Sequence, residues 1–194
     1  MMVVDLYLAS ASPRRRELLQ QMGVRFDVLP VAINEAQRMN ELPRAYAQRL
    51  AQEKAQAGWQ LLALAQRQPV LGADTIVIID DLILGKPRDR AEAINMLQRL
   101  SGRRHQVVTA VALVADHCSV AVNVSEVRFR TLSLPECEAY WATGEAADKA
   151  GAYAIQGRAA VFIEHLSGSY SGVMGLPIFE TAQLLQQANV PVWC

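Results

Sequence analysis

A chain of 194 residues with 52% hydrophobic content can bury a core as one large domain, 1–194, or as two tightly joined halves. Nineteen basic residues balance nineteen acidic ones, so no global field favours nucleic acid or an acidic membrane surface, and any anion site must be local. The three cysteines, Cys118, Cys137 and Cys194, lack metal-ligand spacing and fit a reducing cytosol, and no stretch has the length of a membrane span or the order of a signal peptide.

Val3 to Ala9 reads as a strand, and Ser12 as the N-cap of a helix that opens on Pro13, carries Leu18, Leu19 and Met22 and closes at Gly23. Arg14, Arg15 and Arg16 crowd the end of that helix where the macrodipole favours negative charge, giving either an anion site or a basic turn balanced by Glu17. Val24 to Val31 is a second strand, followed by a polar stretch containing Glu35. A helix is predicted from Pro43 to Gln66, with Tyr46, Leu50, Ala57 and Leu61 on one face. Lys54 lies on that stripe, as a snorkelling cation or as a phosphate ligand at a cleft edge, and Arg49 and Glu53 form a surface pair.

Gly72-Ala73-Asp74-Thr75 reads as a glycine-permitted turn entering the β-branched strand Ile76 to Ile79. Asp74 there either caps its own turn or needs a metal, a base or a hydrogen-bond network. Asp80-Asp81 makes a turn into a short return strand, and Gly85 and Pro87 restrict the loop that carries Lys86. Asp89 and Glu92 have capping-box spacing ahead of a helix closing at Gly102. Val107 to Ala115 and Val120 to Leu132 are read as an antiparallel pair with a bulge between Val124 and Val127. A second capping box, Ser133 with Glu136, opens a helix ending near Gly144. Asp148 to Gly157 suits a binding loop, Ala160 to His165 a strand, Ser167 to Gly172 a flexible turn, and Pro177 the start of the last helix.

Carboxylates at strand or loop ends, isolated lysines and an arginine cluster at a helix start suit a metal-bound polyphosphate. GxxxxGK[ST], GxGxxG after a strand, HExxH and GxSxG are all absent, which argues against a conventional P-loop enzyme. The blocks LYLASASPRRRELL, RLAQEKA, LGADTIV, LGKP, LSGRRHQVVTAVAL, DKAGAYAIQG and GLPIFET, in this order, resemble the Maf family of nucleoside triphosphate pyrophosphatases.

That resemblance implies an α/β fold related to inosine triphosphatase, with a mixed twisted sheet flanked by helices and a cleft between two lobes. It implies cleavage between the α- and β-phosphates with a divalent cation, Mg²⁺ or Mn²⁺. Asp74 becomes the proton acceptor or a metal ligand orienting the water, and Glu35 joins it on the metal. Ser10, Arg14, Lys54 and Lys86 surround the phosphates, with Ser12 and Arg15 supporting that loop. Thr75, Gln156 and Arg14 match positions of substrate choice, and a buried amide at Gln156 would pair with a pyrimidine edge. The wording around Gln156 resembles the dTTP and UTP subgroup, Asn34 stands where an acidic neighbour of Glu35 is common, and a cytoplasmic homodimer is suggested. A nucleotide-binding regulator of cell division is the other class; nucleic acid and membrane are not expected partners.

Overall fold

In the computed structural model, residues 4–63 and 67–193 are described; Val3, Gln66 and Cys194, which figure in the expectations above, lie outside them. The strands are β1 (Leu6–Leu8), β2 (Phe26–Val28), β3 (Val70–Ile79), β4 (Leu82–Leu84), β5 (Arg104–Val114), β6 (Cys118–Phe129) and β7 (Ile163–Ser167). The helices are α1 (Pro13–Gln21), α2 (Pro43–Leu61), α3 (Arg90–Leu100), α4 (Leu134–Ala142), α5 (Tyr170–Met174) and α6 (Ile178–Gln187), with 3-10 turns at Ala150–Ala152 and Arg158–Phe162. Among the described residues the strands form one seven-stranded sheet in the order β2-β1-β3-β5-β6-β7, with β4 beside β3.

The sheet is mixed, as expected. Strand β1 runs parallel to β2 and β3, whereas β4 pairs antiparallel with β3 and β7 with β6. A three-residue link joins the neighbours β5 and β6, which only an antiparallel pair permits. In the pairing of β6 with β7 a register shift falls between Arg128 and Phe129, where the partner residues pass from His165 to Ile163. The residue left over is Glu164 of β7, while Val127 and Phe129, two apart on one face of β6, are both fully buried.

Two compact units divide the chain. The first comprises Met1–Asp74, Thr109–Asn123 and Gly175–Cys194, and the second Thr75–Val108 and Val124–Met174. Strands β3, β5 and β6 each supply residues to both. In the first unit, Leu6 and Leu8 of β1, Leu19 of α1, Leu50 of α2, Val70 and Leu71 of β3 and Leu185 of α6 are fully buried. In the second, Leu97 and Leu100 of α3 and Cys137 and Tyr140 of α4 close over Val77, Ile79, Val107 and Phe129.

Local chemistry sets several boundaries as the sequence indicates. Ser133 and Glu136 form the full capping box, and the Asp89 side chain accepts from the Glu92 N–H at 2.9 Å. Ser12 does occupy the N-cap of α1, but its side chain makes no capping bond. The segment read as strand Ala160 to His165 begins instead as the 3-10 turn Arg158–Phe162, and β7 follows it; the turn read as flexible already contains α5. Arg49, read as half of a surface pair, is mostly covered, because Glu41 takes its Nε at 2.6 Å while Glu53 takes Nη1 at 3.1 Å.

Candidate active site

Gly72 explains how the first unit assembles its charged centre. It does not belong to a turn: all of Val70–Ile79 is strand, so Asp74 sits inside β3 rather than at its mouth. A Cβ at Gly72 would lie 2.4 Å from the Ala51 carbonyl oxygen and 2.6 Å from the Ala55 nitrogen, so glycine is what lets α2 rest directly on β3. Strand residues two apart share a face, so Asp74 faces the same helix. Lys54, one position before Ala55, therefore reaches Asp74, its Nζ donating to Oδ1 at 2.7 Å.

The same ammonium lies 2.7 Å from Glu35 Oε1. One cation thus bridges a buried carboxylate and an exposed one, which corrects the snorkelling reading of Lys54. Glu35 is carried by a loop that α2 also fastens. The Tyr46 hydroxyl donates to the Glu35 carbonyl at 2.7 Å, and Arg49 Nη2 to the Ala36 carbonyl at 3.1 Å. Tyr46 and Glu41 were missed by sequence reasoning, which placed Tyr46 on an apolar stripe; a hydroxyl on that stripe was the available signal.

Beyond β1, the buried Ser10 hydroxyl accepts from Arg15 Nη1 at 3.0 Å and from the Ser12 N–H at 3.3 Å. Arg15 Nε donates to the Gly175 carbonyl at 2.8 Å, which ties the start of GLPIFET to the arginine cluster. Burial lowers the pKa of Arg15; the field of Asp74 opposes this, that of Arg14 adds to it, and that of Glu35 again opposes it. Arg15 therefore lies in the combined field of Arg14, Glu35 and Asp74. Burial also pushes the Asp74 carboxyl above the usual carboxylate range, against the charges of Lys54 and Arg15 and the Lys54 hydrogen bond, with Glu35 reinforcing the rise. A carboxylate poised in this way is a better proton acceptor than an exposed one.

Thr75, Lys86 and Gln156 belong to the second unit. Lys86 and Gln156 are exposed, so Gln156 is not the buried amide expected; its loop turns the side chain outward although Tyr153, Ala154 and Ile155 before it are buried. The loops bearing Lys86 and Gln156 are joined, since the Gly151 N–H donates to the Gly85 carbonyl at 3.0 Å.

Glu35 and Asp74 offer hard oxygen donors that already converge on one cationic nitrogen, a donor pair whose chemistry suits Mg²⁺. No group of three or more His, Cys, Asp or Glu residues able to hold a metal occurs among the described residues. No helix among them is long and apolar enough to cross a membrane.

A mixed sheet flanked by helices, with a buried carboxylate set among cations, defines an α/β protein with a charged centre suited to an anionic ligand. The chain belongs to the Maf family, the model of the Maf-like protein matching residues 5–188. It is 53% identical over 188 residues to the dTTP/UTP pyrophosphatase of Alkalilimnicola ehrlichii, covering 95% of this chain and 93% of that one. It is 49% identical over 191 residues to the dTTP/UTP pyrophosphatase of Pseudoalteromonas atlantica, covering 97% and 100%. Among solved structures, the nucleoside-triphosphatase / dITP/XTP pyrophosphatase from Mycobacterium abscessus overlaps 66% of this chain and 74% of its own at 21% identity and a TM-score of 0.41, too slight a likeness to argue from.

Proposed function

We propose that the protein is a nucleoside triphosphate pyrophosphatase that hydrolyses dTTP and UTP to the nucleoside monophosphate and pyrophosphate. The carrying observation is the buried Asp74, raised in pKa and held by Lys54, in a chain about half identical to relatives bearing that name. Asp74 accepts the proton of the attacking water as the α–β phosphate bridge breaks. Ser10, Arg14, Lys54 and Lys86 neutralise phosphate oxygens, with Ser12 and Arg15 holding the loop after β1. Thr75 and Gln156 select the base.

Glu35 and Asp74 would hold Mg²⁺ or Mn²⁺, which would supply charge neutralisation at the phosphates. The assembly proposed is a homodimer and the compartment the cytoplasm. Purified protein with Mg²⁺ should release pyrophosphate from dTTP and UTP, and Asp74→Asn should abolish the release. Equal release by that variant removes Asp74 from catalysis. Tight triphosphate binding without turnover under either cation would replace the enzyme with a binding protein. Calorimetric titration of Asp74→Asn with Mg²⁺ separates the two roles of the carboxylate: unchanged affinity marks a base, lost affinity a ligand.

A further inference from the structure

Gln156 is exposed, yet the backbone on both sides of it is fixed. Before it, the Ala154 N–H donates to the Tyr140 hydroxyl at 3.2 Å. After it, the Arg158 N–H donates to Glu145 Oε2 at 3.0 Å, and the Ala159 N–H approaches Oε1 at 3.5 Å. Tyr140 links the two sides, its hydroxyl donating to Glu145 Oε1 at 2.7 Å. The carboxylate also fills the space where Gly157 lacks a side chain, since a Cβ there would lie 2.3 Å from Oε1 and 2.4 Å from Oε2.

Neither Tyr140 nor Glu145 belongs to the loop. Tyr140 lies on α4, and Glu145 follows the turn that ends it. A carboxylate that merely capped the 3-10 turn Arg158–Phe162 would account for the Arg158 and Ala159 amides. It would not account for the contact under Gly157 or for the hydroxyl that carries the network back to Ala154. Burial pushes the Glu145 carboxyl up, but the bonds from Arg158, Tyr140 and Ala159 outweigh it and leave it below its ordinary range, as expected of an ionised acceptor.

We propose that Glu145 and Tyr140 form a positioning pair that brackets Gln156 and sets the side-chain placement on which base selection depends. This rests on Gln156 being the base-reading residue. Glutamine at 145 keeps the shape but has one acceptor oxygen where the carboxylate has two, and it loses the charge. Phenylalanine at 140 keeps the ring in the core and deletes both hydroxyl bonds.

The test is kcat/KM for dTTP and for CTP, measured in the intact protein for Gln156→Ala, Glu145→Gln, Tyr140→Phe and the double variant E145Q/Q156A, with thermal melts as a check on folding. Glu145→Gln and Tyr140→Phe should each lower the dTTP preference about tenfold, mainly through KM. The double variant should show no more loss than Gln156→Ala alone. If Gln156→Ala loses the preference while the other two keep it, the bracket is overturned and the reading of Gln156 stands. If the losses multiply in the double variant, Glu145 acts independently and the proposal is overturned. An unchanged preference in Gln156→Ala removes the base-reading role itself, and the bracket with it.

Discussion

In the first unit, buried polarity is ionic: Lys54 lies between Asp74 and Glu35, and Arg15 is held by Ser10 and the Gly175 carbonyl. In the second unit the buried histidine belongs to a neutral, aromatic cluster. His105 Nε2 meets the Tyr153 hydroxyl at 2.9 Å, and both rings stand edge-on to Phe129. Burial holds the His105 pKa down at about 4 and raises that of the Tyr153 hydroxyl, so both stay uncharged at neutral pH. A buried ion pair carries a desolvation cost and leaves protons within chemical reach, whereas a neutral pair fixes shape. The first arrangement suits proton transfer, the second the fixing of shape.

The largest test of this contrast is Asp74→Asn. Turnover should fall by about 10³-fold, the scale of a lost general base. Stability should hold or rise: a carboxyl whose folded pKa is raised above its unfolded value costs stability at pH above the unfolded value, a cost that the amide removes. Lys54 keeps Glu35 as a partner in the variant. A clear drop in melting temperature would show that the ion pair stabilises the fold and would remove the contrast between the units.

His105 gives the next effect. Its folded pKa of about 4 lies below the ordinary 6.5, so the unfolded chain binds the proton first on acidification, and the stability present above pH 6.5 is lost as pH falls towards 4. The loss should approach about 3 kcal/mol at pH 4. Denaturant titrations of the natural protein and of His105→Gln from pH 7 to 4 check this, since the variant lacks that slope. The carboxyls of Glu41, bonded by Arg49, and Glu136, bonded by Arg130, are pulled down to about 2, so their contributions fade mainly below pH 4.5. The two windows separate the histidine from the carboxylates.

Gly72→Ala should cost about 2 kcal/mol by forcing α2 off β3. Activity should fall with it, because the same helix carries Lys54; a fully active, stable variant would show that the close approach is not what seats that residue. Gly72 also marks what could be read from sequence. Glycine beside aspartate has the composition of a turn, and only the approach of Ala51 and Ala55, some twenty residues earlier in the chain, reveals a strand interior.

Signals carried within a few residues were legible. The Ser133–Glu136 capping box, the start of α2 at Pro43 and the need of Asp74 for a partner all follow from local spacing or from the cost of burying charge. Long-range choices were not. Nothing local tells that Glu35 and Asp74 share Lys54, that Gln156 points outward, or that Glu145 lies under Gly157, because each is decided by a partner distant in sequence.

The smallest effect isolates charge from chemistry on β3 itself. Asp80 and Asp81 form the two-residue link to β4, with Ile79 opposite Leu82 and φ of 51° and 60°. Two consecutive left-handed residues define a type I′ hairpin, where glycine is favoured at the second position. Asp81→Gly should therefore raise stability by roughly 0.5–1 kcal/mol and leave turnover unchanged. Asp80 keeps its bond from Arg103 in the variant, so the gain reads the backbone at Asp81 rather than a lost ion pair. Paired denaturant melts and pyrophosphate assays check both halves. Asp74 and Asp81 lie on and just beyond one strand and both oppose folding, Asp74 through the desolvation of its charge and Asp81 through its backbone. If Asp81→Gly lowers turnover, the exposed turn is coupled to catalysis and the contrast between the units fails there; if it does not, the turn stands apart from the chemistry.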